Sequence, residues 1–117
     1  MAAGDVATDL HAARLLFSAA ASKLDRGERA RVDAAHAKKF ATRAAMNGII
    51  QCMQSIGARA LLTQTPIARH VTTAKTAQYL DGTTEIQHVV ISRSLKSRVR
   101  DQQGADDVRN RQREVHE

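Results

Sequence analysis

A single proline, Pro66, stands in 117 residues, and only six glycines accompany it. A sandwich or barrel needs turn signals about every 8–12 residues, and this chain lacks them. It holds instead 21 alanines, the residue with the highest helix propensity. The chain is therefore expected to be all-α. Its length suits one ordinary domain, and no apolar run is long enough to cross a bilayer.

The spacing of apolar residues predicts about four helices. The first runs from about Asp5 to Arg26, with Val6, Leu10, Ala13, Phe17, Ala20 and Leu24 on one heptad-spaced stripe and Gly27 as its stop. The second runs from about Ala30 to Ala60. Its apolar face is Val32, His36, Phe40, Met46, Ile49, Ile50, Met53 and Ile56. Gly48 and Gly57 inside that pattern mark a close packing contact or a helix end. Joined by a few residues, these two helices form an αα-hairpin. Thr65 and Pro66 serve as N-cap and first residue of a third helix, with Ile67, Val71, Ala74 and Ala77 buried and an end at Asp81-Gly82. Thr83 caps a fourth, with Ile86, Val89 and Val90 inward. Residues 1–95 read as an up-and-down helical bundle. From Lys96 the pattern fails, and residues 96–117 read as a charged, flexible tail or a loose exposed helix.

Charge and cysteine usage bound the function. The net charge is +6, with 12 basic against 7 acidic side chains in residues 1–95 and 6 against 5 beyond. The excess is spread over the body, without a basic block or interleaved aromatics. It reads as a solvated face or a contact for an anionic cofactor, not as a nucleic-acid surface. One cysteine, Cys52, excludes a disulfide framework and a thiolate zinc cluster. With no basic start leading into an apolar run, a reduced, cytoplasmic protein is expected. His36 and His70 are expected to be partly buried and hydrogen-bonded, Cys52 a buried small hydrophobe, and Met46 and Met53 core fillers. No metal site is expected.

The stretch Asp81-Gly82-Thr83-Thr84-Glu85-Ile86-Gln87 reads as a helix–turn–helix junction with suggestive physics. An acid precedes a glycine, and the next helix opens with free N–H groups and threonine hydroxyls, a ready anion site. On physics alone, Asp81 and Thr83 are caps of a helix junction.

A resemblance changes the weighting. Gln54-Ser55-Ile56-Gly57, Pro66-Ile67, Ala74-Lys75, Gln78, the Asp81–Gln87 junction and Ile91-Ser92-Arg93 follow one another as at the C-terminal end of the acyl-CoA dehydrogenase family. Upstream, Ala35-His36-Ala37-Lys38-Lys39-Phe40-Ala41 resembles that family's preceding helix. The likeness covers about Val6 to Leu95. It implies most of the family's C-terminal four-helix bundle, without the first bundle helix and without the β domain that holds most of the FAD and the acyl-CoA. It implies Asp81 as the catalytic base, Gly82 near the substrate thioester, and Arg93 near the CoA end. Thr83 and Glu85 correspond to residues near the flavin phosphates, and Gln54 and Gly57 to positions touching a neighbouring subunit's flavin. It also implies a homo-oligomer or a partner subunit carrying the missing domains, and electron-transfer flavoprotein as a possible electron acceptor.

Three departures stand out. The base is Asp where the family has Glu, so the carboxylate sits roughly 1.5 Å further back. Gly57-Ala58 replaces a double glycine, and Thr72-Thr73 replaces an Arg-Asp pair. Two readings follow: the C-terminal domain of a flavin-dependent acyl-CoA dehydrogenase, inactive as an isolated piece, or a non-catalytic helical interaction protein derived from it.

Overall fold

The structure is a computed structural model that describes residues 2–80 and 82–114; Met1, Asp81 and residues 115–117 lie outside the description. All regular elements among the described residues are helical: α1 (Ala2–Asp25), α2 (Arg31–Ile56), a 3₁₀ segment (Gly57–Leu61), α3 (Ile67–Ala77) and α4 (Thr84–Glu114). Helix α1 closes in a Schellman arrangement. The Glu28 N–H reaches the Lys23 carbonyl and the Gly27 N–H that of Leu24, each at 2.9 Å, with Gly27 at φ +70°.

Helices α1 and α2 form the expected hairpin. At the loop end Lys23 bonds Asp33 at 2.9 Å; at the far end Gly48 faces Val6. Those two registers make the pair antiparallel. A Cβ on Gly48 would lie 3.2 Å from Val6 Cγ1, so the glycine marks a close helix approach. Helix α2 is the hub: α1, α3, α4 and the 3₁₀ segment each pack on it, and among the described residues α1, α3 and α4 do not pack on one another. The molecule is elongated, 77 × 30 × 25 Å, with a radius of gyration of 20.9 Å. A compact chain of this length would have a radius of about 13 Å. The 31-residue α4 accounts for much of the difference, spanning about 46 Å with residues 95–114 all exposed. The expected tail is thus the outer part of this helix as far as Glu114.

Several expectations are corrected. The fully buried residues of α2 are Ala35, Ala37, Ala44 and Gly48; of the expected apolar face, Val32, Phe40, Met46, Ile49 and Met53 are half-buried, while Ile50 is 52% and Ile56 46% exposed. Small residues win because helices on several sides of α2 approach it closely. Helix α2 also stops at Ile56, because Gly57 turns to φ +75° and the chain tightens into 3₁₀ geometry. Pro66 precedes α3 instead of opening it, and Thr65 Oγ1 donates to the Arg59 carbonyl instead of capping the helix. Helix α3 ends at Ala77, four residues before the expected end. On α4, Gln87 is the buried residue, while Ile86 and Val89 are exposed. Among the described residues that helix packs only on α2, so its inward face is narrow. His36, His70 and Cys52 are all exposed. On α3, Ala74 is buried and Ile67, Val71 and Ala77 are half-buried, as the spacing required.

Two outcomes are expected from this packing. Replacing Gly48 by Leu drives a side chain into Val6 and should destabilise by about 1–3 kcal/mol, measured by denaturant unfolding. The Lys23 ammonium, hydrogen-bonded to Asp33, holds that carboxyl below the usual range. Because the folded-state pKa is depressed, the contribution is complete above the ordinary carboxylate range and fades as pH falls through the folded value. The stability difference between wild type and Lys23→Met should therefore vanish on acidification, as followed by melting temperature against pH.

Candidate functional site

Helix α3 unwinds through a tightened turn. The Gln78 N–H reaches Lys75 O at 3.1 Å, and the Tyr79 and Leu80 N–H groups reach Thr76 O at 2.9 and 3.2 Å. Gly82 then adopts φ +104°, a region that side chains avoid. A Cβ there would also meet Gln87 Nε2 at 3.0 Å. The backbone conformation favours glycine, and buried Gln87 lies directly against it.

Thr83 caps α4 as expected. Its Oγ1 accepts the Ile86 N–H at 3.4 Å, and its carbonyl takes the Gln87 N–H at 3.1 Å. Glu85 is held below the usual carboxylate range, first by its own backbone N–H, then by the Thr83 hydroxyl, with His88 and Lys75 adding positive charge. This helix start therefore favours a negative group.

Helix α2 brackets the junction. The half-buried Lys38 extends Nζ to the carbonyls of Leu80 and Gly82 and donates to both. Lys39 Nζ lies 3.3 Å from His88 Nδ1. Asp81, the expected base, lies outside the described residues. In sequence it stands between the two carbonyls that Lys38 binds.

The other site residues are elsewhere. Gln54 and Gly57 are exposed on an open cleft of about 390 Å³ at the far end of α2, beside Ile50 and Leu61. Sixteen residues of helix separate Gln54 from Lys38, about 24 Å along the axis. Arg93 is exposed on α4, nine residues beyond Thr84 and about 14 Å along the helix. So Gly82, Thr83 and Glu85 share one place, whereas Gln54 and Gly57 form a second. A third feature is an apolar cleft of about 440 Å³ between the ends of α1 and α2, lined by Val6, Leu10, Cys52 and Ile56. Beside it Gln51 Oε1 is enclosed without a hydrogen-bond partner among the described residues. No group of three or more His, Cys, Asp or Glu side chains among the described residues is placed to hold a metal. No helix among them is long and apolar enough to cross a membrane.

Sequence reasoning missed Lys38 and Gln87. A lysine set among Ala35, Ala37 and Ala41 signals a charged group on a packing face. Gln87 gives no such signal, since a polar residue in the first turn of a helix reads as exposed.

Comparison with known proteins accords with this geometry. The family model described as the acyl-CoA dehydrogenase C-terminal domain matches residues 2–96. An acyl-CoA dehydrogenase of Bacillus subtilis (strain 168) is 36% identical over 91 residues, covering 78% of this chain and 24% of that protein. Two solved structures share the fold at a TM-score of 0.76. One is described as an electron transferring flavoprotein of Acidaminococcus fermentans, 34% identical, covering 79% of this chain and 24% of that one. The other is an FAD complex of PigA, 28% identical, covering 80% and 24%. The chain thus spans about a quarter of the relatives it matches. A family model matched over residues 2–96, the all-helical fold and the Gly82–Thr83 junction agree, and the chain belongs to the acyl-CoA dehydrogenase C-terminal domain family.

Proposed function

We propose that this chain supplies the C-terminal helical domain of a flavin-dependent acyl-CoA dehydrogenase, with Asp81 as the base that takes the proton from the carbon next to the thioester carbonyl. The observation that carries the reading is the α3–α4 junction. Gly82 is fixed at positive φ, Thr83 caps α4, and the Glu85 N–H and the Thr83 hydroxyl hold the Glu85 carboxyl below its usual range. In this reading the start of α4 lies toward the phosphate end of FAD, where the helix dipole favours negative charge. When bound, the flavin supplies a hydride acceptor for the second carbon of the substrate. Gly82 leaves room beside the base for the thioester, and Arg93 offers a cation to the CoA end. Gln54, about 24 Å from Lys38 along α2, and Gly57 just past its end serve the flavin of a neighbouring subunit in this reading. The reading entails acyl-CoA as substrate, a role in fatty acid metabolism in the cytoplasm, and electron-transfer flavoprotein as electron acceptor.

A second reading, a helical association module without catalysis, draws support from the surface. Phe17 is 69%, Leu61 72% and Leu24 63% exposed, while the buried apolar residues are alanines. The 440 Å³ cleft with unpartnered Gln51 Oε1 also suits an added helix. Both readings call for self-association or a partner subunit carrying the missing domains.

Sedimentation of the purified chain should accordingly show concentration-dependent oligomers; a monomer at high concentration would refute association through these surfaces. The base is tested in the flavin-loaded assembly recovered with the tagged chain. Asp81→Asn should abolish exchange of the substrate α-proton while the flavin absorbance is retained, because Asn keeps the shape but accepts no proton. Full exchange in that variant makes Asp81 a junction cap, worth at most about 1 kcal/mol of stability. Asp81→Glu restores the family's reach and should preserve or raise turnover. A carboxylate misplaced by about 1 Å costs on the order of a hundredfold in rate.

A further inference from the structure

Between Asp33 and Asp81 the chain holds no acidic residue. Residues 34–80 carry six Lys and Arg side chains instead, and three of them, Lys38, Lys39 and Arg43, fall within two turns of α2. His36, Lys39, Phe40 and Arg43 stand at i, i+3, i+4 and i+7, so they share one face of that helix. With Leu16 of α1 they line a cavity of about 170 Å³. Phe40 and Leu16 are half-buried and give it an apolar side; Lys39 is half-buried, and His36 and Arg43 are exposed. The Arg43 guanidinium lies over the Phe40 ring, 5.5 Å from its centroid, which holds it against the helix. From α4, His88 Nδ1 lies 3.3 Å from Lys39 Nζ. An ammonium only donates, so Nδ1 accepts and Lys39 keeps its charge.

The acids nearest to this face are already engaged. Asp33 bonds Lys23 at 2.9 Å, and the Glu85 carboxyl is held by its own N–H and the Thr83 hydroxyl. Ion pairs among the described residues are Lys23–Asp33, Arg26–Glu28 and Arg109–Asp106, so no acid among them pairs with Lys39 or Arg43. Cations gathered at one cavity without counter-acids raise the local potential and favour an anion. We propose that this cavity binds a phosphate group carried by a small molecule. Arg43 offers a planar pair of donors to two phosphate oxygens, Lys39 adds a point charge, and His36 adds a ring N–H. Phe40 and Leu16 screen one side of the group from water, where charge-assisted bonds are stronger. Three basic side chains line the cavity, and a terminal phosphate presents three oxygens to them where a carboxylate presents two. None of the lining residues belongs to the α3–α4 junction or to the cleft at Gln54 and Gly57, so the site does not depend on the dehydrogenase reading.

The experiment titrates the full chain, isotopically labelled, with inorganic pyrophosphate at about 0.15 M salt, where exposed charges more than about 8 Å apart are largely screened. Saturable shifts should appear at Leu16, His36, Lys39, Phe40 and Arg43, with the basic residues of α4 beyond Leu95 unmoved. Arg43→Gln and Lys39→Gln should each weaken binding at least tenfold, and Arg43→Lys should recover part of the loss. Arg98→Gln, on the exposed outer half of α4, should change nothing, and acetate should bind at least tenfold more weakly than pyrophosphate. Arg43 is exposed, so its replacement should leave the helical circular dichroism unaltered; if Lys39→Gln fails to fold, Arg43→Gln and the wild-type shift map decide the matter. Shifts that never saturate, shifts spread evenly over the basic residues, or undiminished binding in Arg43→Gln would overturn the site. Acetate binding as tightly as pyrophosphate would overturn the assignment to phosphate.

Discussion

Helix α2 meets its neighbours through alanine and glycine, and the rest of the molecule depends on that. Ala35, Ala37, Ala44 and Gly48 leave no bulk between the helices, so Val6 can come against Gly48. Close approach has a thermodynamic consequence. Buried apolar area stabilises by about 25 cal/mol per Å², and an alanine methyl offers little of it. Several larger apolar side chains, Phe17, Leu24 and Leu61 among them, stay largely exposed. The chain is thereby an extended set of helices around one hub, with apolar surface left for further contacts.

The same hub organises the chemistry. Lys38 and Lys39 sit on the N-terminal half of α2, opposite the α3–α4 junction, while Gln54 and Gly57 sit at its C-terminal end. A straight helix cannot bring its two ends together, so one chain offers two partial sites and not one closed pocket. At the junction, local and tertiary effects reinforce each other. Gly82 supplies the backbone conformation, Thr83 starts the next ladder, and Lys38 binds carbonyls that neither ladder uses.

Where sequence and structure part, the cause is a partner that the sequence does not display. Of the apolar stripe on α2, Val32, Phe40 and Ile49 are half-buried and Ile56 is exposed; a helical stripe shows only that a face is apolar. Which face is buried depends on how near the next helix comes. Cys52 and His36 lie on helices as anticipated and are exposed, because their faces are left uncovered by the described helices. Gln87 reads as a solvent-facing polar residue and is buried because Gly82 leaves it room.

By itself the sequence determined the helical class, the α1–α2 hairpin, the break at Gly27, the Thr83 cap and the family. All of these follow from propensity, short-range spacing and local motifs, which involve residues only a few positions apart. The tertiary structure decided that α2 is the hub, that its buried face is alanine, and that Gln54 and Gly57 stand apart from the junction. It also decided that Lys38 reaches Leu80 and Gly82. Those outcomes depend on distances between residues tens of positions apart. Such distances are set by how closely helices pack, and packing is a property of facing surfaces that no single segment contains.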